Sequence, residues 1–515
     1  MTFDPLSNEL QIAVVGTGAM GRGIAQIAAQ AGVTVLLHDA APGAAAHARE
    51  ALAATFDTLA KKGKIDAEAA LAATGRLRVV GPLDGLAGAS LVVEAIVEDL
   101  DAKRVLFRAL EAVVAPHCVL ATNTSSLSVT AIAAACARPA RVVGFHFFNP
   151  VPLMKIVEVI DGVRGEAAVG DAMMALARRL GHLPVRAKDT PGFIVNHAGR
   201  GYVTEALRLL GENVAEPHVI DAVLREQAGF RLGPFELLDL TGLDVSVPVM
   251  ESIYHQYFEE PRFRPSPLAA QRRVAGLFGR KSGEGYYRYV DGRAVPLPDL
   301  PAPVARPRSV WVCPAEAVLA GRARGLMAAL GVVPEAGARP TAEALCIVTP
   351  LGEDVSQCCA RESLDAARTV GLDLLFSNER HRSLMLSPLT SAAMRDAAHG
   401  LLASDQGRVS VLRDSAGLVA QRVVATIVNI ACDIAQQDIA EPADIDRAVV
   451  LGLGYPKGPL AWGDELGAAT VLAVLNNLLA LSGDPRYRAS PWLRRRAVLG
   501  ASLLSWSSSS RGSAH

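Results

Sequence analysis

The N-terminal third of the chain alternates short apolar runs with amphipathic stretches. Residues 10–15 form an apolar run that passes directly into Gly16-Thr17-Gly18-Ala19-Met20-Gly21. A helical pattern follows over 23–31, and a second apolar run, 33–37, ends at His38-Asp39. Further runs at 91–96, 119–121, 142–148 and 155–160 are short and nearly unbroken, as strands covered on both faces are. Repetition of strand, turn and helix predicts an α/β domain built on a parallel sheet.

In this setting the glycine motif has a definite reading. Gly16 permits the tight turn, Gly18 lets a pyrophosphate approach the backbone, and Gly21 lets the helix pack on the strand. The helix start, Ala19 and Met20, offers free N–H groups and a positive dipole end to phosphates. Asp39, at the end of the second run, follows Gly21 at the spacing of a ribose ligand. A carboxylate there accepts from both ribose hydroxyls and repels a 2′-phosphate. Neither Ala40 nor Ala41 carries a compensating charge, so the expected cofactor is NAD rather than NADP. A glycine-rich turn with no ligand is the plainer alternative, and the flanking strands and Asp39 weigh against it.

In an open α/β sheet, ligands gather at the carboxyl ends of the strands. Those ends carry Glu98, then Asn123-Thr124-Ser125-Ser126, then His146-Phe147-Phe148-Asn149-Pro150, while Glu158 stands among apolar neighbours in the next run. Val151-Pro152, between His146 and Glu158, can turn the chain so that two adjacent strands bring the pair together. A carboxylate on one imidazole nitrogen sets the tautomer and leaves the other as a general base. Beside NAD, such a base removes an alcohol proton as hydride departs. Ser125 and Asn149 are placed to hold a substrate oxygen and the nicotinamide ribose. A lone strand histidine and a lone buried glutamate are also common as purely structural residues.

Composition narrows the rest. The 515 residues suit about three to five domains, and 50% hydrophobic content excludes disorder along the whole chain. With 51 basic and 52 acidic side chains, a nucleic-acid partner is not expected. Seven scattered cysteines include no CxxC, so neither a disulfide framework nor a metal site is expected. MTFDPLSNEL lacks the pattern of a signal peptide, and no run of about 18 apolar residues suggests a membrane partner. The expected location is cytoplasmic.

NTSSL, GFHFFNPVPLMKIVEVI and KDTPGFIVN together resemble the signature of the L-3-hydroxyacyl-CoA dehydrogenases, over roughly residues 10–287. The resemblance implies a Rossmann-like NAD-binding domain followed by an all-α domain, and reversible NAD-dependent oxidation of an L-3-hydroxyacyl-CoA to a 3-oxoacyl-CoA. It assigns His146 as base and Glu158 as its partner. It assigns Ser125 and Asn196 to the substrate oxygens. Cofactor contacts fall on Glu98, Lys103, Asn149 and Lys281 of KSGEGYY, and coenzyme A contacts on Thr55 and Lys62. The family often has Ser where this chain has Thr55. Lys61, Lys62 and Lys64 would otherwise be a solvated charge run. The length, with two helical repeats, resembles the bacterial 3-hydroxybutyryl-CoA and 3-hydroxyadipyl-CoA dehydrogenases of phenylacetate breakdown. Alternatives kept beside this are a dehydrogenase of a non-CoA hydroxy acid and an NAD-binding structural protein without turnover.

The second half repeats the first. Asp189, Gly192 and Asn196 return as Asp414, Gly417 and Gln421, an offset of 225 (414 − 189). The register holds through Pro217 and Pro442, Asp221 and Asp446, Pro234 and Pro459, and Gly242 and Gly467. A weaker echo aligns Arg141–Asn149 with Arg368–Phe376 at an offset of 227 (368 − 141). It puts Asp373 at His146, Phe376 at Asn149 and Gly352 at Ser125, with no glycine motif ahead of it, so this copy is expected to bind no NAD. The expected domains are therefore 1–188, NAD-binding; 189–290, helical; 291–308, a proline-rich linker; 309–413, a degenerate α/β segment; 414–504, a second helical copy; and 505–515, a disordered serine-rich tail. The family's helical domains pair between subunits, which implies an internal pseudo-dimer here, with a homodimer as a further option.

Overall fold

Eight strands form the N-terminal sheet: β1 (Gln11–Val15), β2 (Thr34–His38), β3 (Leu77–Val79), β4 (Leu91–Glu94), β5 (Val119–Thr122), β6 (Val142–Phe147), β7 (Ile156–Asp161) and β8 (Leu183–Lys188). Their order is β3-β2-β1-β4-β5-β6-β7-β8. β3 to β6 are mutually parallel, β7 runs antiparallel to β6, and β8 is parallel to β7. β4, β5 and β6 are buried at every residue, which is why they read as unbroken apolar runs. The computed structural model describes residues 3–297 and 301–505. Residues 298–300 of the proline-rich stretch and the tail from 506 lie outside the described residues.

Helix α1 (Ala19–Gln30) starts a turn earlier than its apolar periodicity, because Gly18 already serves as its N-cap. Its Ile24, Ala25, Ile27 and Ala28 share a core with Val14 of β1 and Leu37 of β2. Helix α2 (Ala44–Lys61) buries Leu52 and Phe56 in the same core. The chain divides into two units, Met1–His197 with Gln437–Leu453, and Ala198–Gln436 with the chain from Gly454 on. The helix Pro442–Leu453, which the 225 offset places in the second helical copy, belongs to the first unit. It packs on β7 and β8, and Lys188 bonds Ile439 through its backbone N–H and Asp438 through its ammonium.

In the second unit a short hairpin, β9 (Tyr289–Val290) and β10 (Arg293–Ala294), precedes a five-stranded sheet. That sheet is β11 (Val310–Val312), β12 (Leu345–Val348), β13 (Thr369–Leu372), β14 (His381–Leu386) and β15 (Arg408–Arg413), in sequential order. Only the β13/β14 pair is antiparallel. Order and directions match β4 to β8. The starts of β14 and β15 repeat those of β7 and β8 at the same offset of 225 (381 − 156; 408 − 183). Among the described residues no strand beyond β11 stands where β1 and β2 would. The missing strands are the ones that carry the glycine turn and Asp39.

The helices of this unit keep the offset too. Pro234–Thr241 and Leu243–Gln256 are matched by Pro459–Leu466 and Ala468–Ser482. Arg200–Gly211 packs along Ala420–Gln436, whose residues 425–436 are its own counterpart. Pro261–Phe263 packs against its counterpart Pro485–Tyr487 in the same way, here at an offset of 224 (485 − 261). No single helix among the described residues is long and apolar enough to cross a membrane. The one helix pair that meets the criterion jointly, Pro459–Leu466 and Ala468–Ser482, is bent by 94°.

A buried ionic knot lies where Arg200–Gly211 meets its counterpart. Glu205, 1% exposed, takes Arg422 Nε at 2.5 Å, the Tyr487 hydroxyl at 2.6 Å and Arg486 Nη1 at 3.3 Å. Burial works to raise the Glu205 carboxyl, but Arg422 and Arg486 outweigh it and hold it below the usual carboxylate range. Glu205→Gln leaves two buried guanidinium groups short of an anion. Thermal and urea denaturation should show a loss of about 3 kcal/mol. Because the folded group is the stronger acid, its contribution is complete above the ordinary carboxylate range and is lost as pH falls through it. The variant should therefore show a shallower acid decline than the parent; a parallel decline would exclude this account.

Candidate active site

The order of strands reverses between β1 and β4, and the glycine turn stands at that switch point. Gly16 adopts φ +92°, and a Cβ there would lie 2.5 Å from the Ala95 carbonyl oxygen just past β4. A Cβ on Gly21 would lie 1.8 Å from the Gly16 carbonyl oxygen. Around the Cβ direction of Gly18 nothing stands within 4 Å, so this stretch of backbone faces open space. No side chain caps α1, and its first turn, with Ala19 and Met20, holds no acidic residue. A dinucleotide pyrophosphate fits this cradle. The adjoining cleft, about 980 Å³, is walled by Leu83, Val97 and Val105, with Asp39 at one side. Asp39 accepts from the Thr17 N–H (2.7 Å), the Thr17 hydroxyl (2.8 Å) and the Ala41 N–H (3.0 Å). Burial works to raise its carboxyl, but these donors hold it below the usual range.

Glu98, past the end of β4, organises the loop after β5. Its Oε1 accepts from the Thr124 hydroxyl (2.7 Å), the N–H groups of Ser125 (2.9 Å) and Ser126 (3.1 Å), and both serine hydroxyls. Behind it, Lys103 is 1% exposed, with its ammonium 2.6 Å from Glu94 and 3.2 Å from Glu98. Lys103, expected as a cofactor contact, is instead buried between two carboxylates. Burial works to raise the Glu98 carboxyl, and Lys103 with the loop donors lowers it. Glu94 itself is fully buried and also takes the Thr122 hydroxyl and the Ile96 N–H. Glu94 and Thr122 had no signal of their own in the sequence, since a single Glu closing an apolar run looks like any strand end.

The antiparallel register of β6 and β7 sets His146 directly opposite Glu158. His146 Nδ1 lies 2.6 Å from Glu158 Oε2. Glu158 Oε1 accepts the N–H groups of Ile194 and Val195, each at 2.9 Å. The ring rests against Phe148 and Phe193, centroids 4.4 and 5.8 Å away. With Nδ1 engaged by a fixed carboxylate, Nε2 is free to act as a base, and an imidazolium formed there is stabilised. Asn196, next to Val195, donates its side-chain amide to the Ser125 carbonyl at 3.2 Å. Asn123 accepts the Phe147 N–H at 2.9 Å, tying the serine loop to β6. Thus Ser125, His146, Glu158 and Asn196 are brought together.

Asn149 is exposed after β6 and forms a cis peptide with Pro150. Thr55 is half-buried on α2 and donates its hydroxyl to the Ala51 carbonyl. Lys62 is exposed at the end of that helix. Lys281 belongs to the second unit and pairs with Asp244 at 2.5 Å. In the second sheet, Asp373 follows β13 and donates its N–H to the Ser383 carbonyl, and Ser383 is the counterpart of Glu158 in the repeat. Asp373 accepts from the Gln421 amide at 3.0 Å and is raised above the usual carboxylate range by burial. The histidine–glutamate pair has no equivalent there.

A Rossmann sheet with a glycine cradle, a ribose carboxylate and a carboxylate-held histidine defines an NAD-dependent dehydrogenase. Comparison with known proteins gives the family. Residues 11–190 match the 3-hydroxyacyl-CoA dehydrogenase NAD-binding domain, and 192–289 and 417–502 match that family's C-terminal domain. The chain is 37% identical, over 96% of its length and 98% of the relative's, to 3-hydroxyadipyl-CoA dehydrogenase of Escherichia coli. It is 37% identical over 56% of its length to 3-hydroxybutyryl-CoA dehydrogenase of Bradyrhizobium diazoefficiens, of which it covers 97%. The crystal structure of 3-hydroxybutyryl-CoA dehydrogenase from Escherichia coli K12 is similar at TM-score 0.83 and 36% identity, covering 96% of this chain and 99% of that one. The chain belongs to the 3-hydroxyacyl-CoA dehydrogenase family and is an oxidoreductase whose cofactor is NAD.

Glu158→Gln keeps the size of the side chain and removes the charge that stabilises an imidazolium. Turnover should fall by roughly 10²–10⁴. Steady-state kinetics with circular dichroism should show the loss with the fold retained. A drop of less than threefold would remove Glu158 from the chemistry.

Proposed function

We propose that the chain oxidises an L-3-hydroxyacyl-CoA reversibly to the 3-oxoacyl-CoA, with 3-hydroxyadipyl-CoA or 3-hydroxybutyryl-CoA as the substrate. The observation that carries this reading is the His146–Glu158 pair at 2.6 Å, beside Ser125 and Asn196 at the carboxyl end of the sheet. His146 Nε2 removes the proton of the 3-hydroxyl. Glu158 holds the ring's tautomer and balances the charge it gains. Ser125 and Asn196 orient the substrate oxygens, so that the C3 hydrogen points at the cofactor. Bound NAD supplies the hydride acceptor. Gly16, Gly18 and Gly21 with the start of α1 hold the pyrophosphate, and Asp39 holds the adenosine ribose. Glu98 shapes the loop that carries Ser125, and Asn149, exposed just past β6, is proposed as a further cofactor contact.

Thr55 and Lys62 lie on the exposed side of α2 and suit the phosphates of coenzyme A, to which a lysine acts as a point charge. The names of the full-length relatives support both acyl groups, six-carbon dicarboxylic and four-carbon. The repeats pair as a pseudo-dimer in this reading, because helix Arg200–Gly211 and turn Pro261–Phe263 each contact their own counterpart, as elements on a two-fold axis do. Seven free, buried cysteines suit a reducing, cytoplasmic setting.

His146→Gln should lower kcat by at least 10²-fold while NAD still binds, as read by calorimetry. Full retention of activity would exclude His146 as the base. Lys62→Ala should raise KM for acyl-CoA several-fold and leave kcat within twofold. An unchanged KM would favour a hydroxy acid without coenzyme A. Comparing kcat/KM for 3-hydroxybutyryl-CoA and 3-hydroxyadipyl-CoA assigns the acyl group.

A further inference from the structure

Glu94 ends β4 with a side chain that water does not reach. It takes the Lys103 ammonium at 2.6 Å, the Thr122 hydroxyl at 2.7 Å and the Ile96 N–H at 2.8 Å. Lys103, on helix Leu100–Val113, also reaches Glu98 at 3.2 Å. Among the described residues it is the only cation within ion-pair distance of either carboxylate. Two carboxylates against one ammonium leave the cluster at a net charge of −1. A net charge in the interior is costly, and neutral side chains would pack there without that cost. The second sheet has such side chains. Leu91 pairs with Val119 in the first sheet and Val310 with Leu345 in the second. That register sets Cys313 at the position of Glu94 and Val348 at the position of Thr122. The sheet that lacks the glycine turn also lacks this charge.

We propose that this cluster biases the cofactor site toward the oxidised dinucleotide, with Glu94 as the residue that sets its charge. Strand order supplies the reason. In the order β1-β4-β5-β6, the glycine turn follows β1 and His146 stands on β6. A dinucleotide whose pyrophosphate rests on that turn, and whose hydride acceptor meets His146, crosses the carboxyl ends of β4 and β5. Glu94 and Thr122 are the last residues of those two strands, about 5 and 10 Å across the sheet from β1. Ile96, bonded to Glu94, lines the cofactor cleft with Ala95 and Val97. The nicotinamide ring is positively charged in NAD⁺ and neutral in NADH. A fixed negative charge beside its path stabilises the first and leaves the second nearly unaffected. The proposal rests on His146 as the base, since His146 marks where the reacting end of the cofactor lies.

Calorimetry on the full-length protein, without substrate, gives Kd for NAD⁺ and for NADH. The quantity compared is the ratio Kd(NADH)/Kd(NAD⁺), in which a general loosening of the site cancels. Glu94→Gln keeps the size of the side chain and brings the cluster to neutrality. The ratio should fall on the order of tenfold, through weaker binding of NAD⁺. Adding Lys103→Met to Glu94→Gln leaves Glu98 alone and returns the charge to −1. The ratio should come back to within twofold of the parent, although the double variant has lost more of the buried network. If Glu94→Gln does not fold, as read by circular dichroism, Glu98→Gln makes the same change of charge at a partly exposed side chain and should give the same fall. A neutralised variant with a ratio within twofold of the parent overturns the proposal. So does a double variant whose ratio stays as low as that of Glu94→Gln, because the effect then follows structure and not charge. The role of His146 is decided separately by turnover of His146→Gln, since these binding constants involve no turnover.

Discussion

Glu158 is the point on which the catalytic arrangement hangs. One of its oxygens meets His146 and the other takes two backbone N–H groups from Ile194 and Val195. A carboxylate with no exposure to water is costly unless its lone pairs are filled, and here both oxygens are engaged. Strand β7 thereby fixes the imidazole on β6 and the start of the segment that carries Asn196. The same carboxylate therefore holds both His146 and the backbone next to Asn196, the two residues proposed as base and substrate-oxygen partner.

A similar arrangement governs the cofactor side. Lys103 neutralises Glu94 and Glu98 from within, and Glu98 then turns its outer oxygen to the serine loop. Glu94 in turn anchors Thr122 at the end of β5. Loop 124–126 is thus held by charge-assisted bonds to a single carboxylate.

The two halves of the chain show what a working site requires and what a scaffold can do without. The second sheet keeps the five strands from β11 to β15, their order and the antiparallel pair. It keeps the helix cap too: Asp414 takes the N–H groups of Val355 and Ser356, as Asp189 takes those of Val129 and Thr130. At the catalytic position it has Asp373 and Ser383 in place of His146 and Glu158. Its helical run instead supplies Arg422 and Arg486 to Glu205.

Much of this was legible in the chain. Gly16 and Gly21 must be glycine for local reasons, a positive φ and a close approach, so the cradle announces itself. Six of the eight strands of the first sheet appear as apolar runs, while β3 and β8 do not, and a turn at Val151-Pro152 is enough to place His146 against Glu158. The duplication is visible as a nearly constant offset. Other features depend on contacts between distant residues and leave no periodic trace. Lys103, expected to touch the cofactor, is buried between Glu94 at the end of β4 and Glu98. Helix Pro442–Leu453 repeats its counterpart in sequence but joins the first unit because β8 offers it a surface. The sequence by itself determined the glycine cradle and most strands of the first sheet, since each follows from local backbone and hydrophobic demands. Only the tertiary structure decided which charges are buried together, because that depends on strand order, which no local pattern encodes.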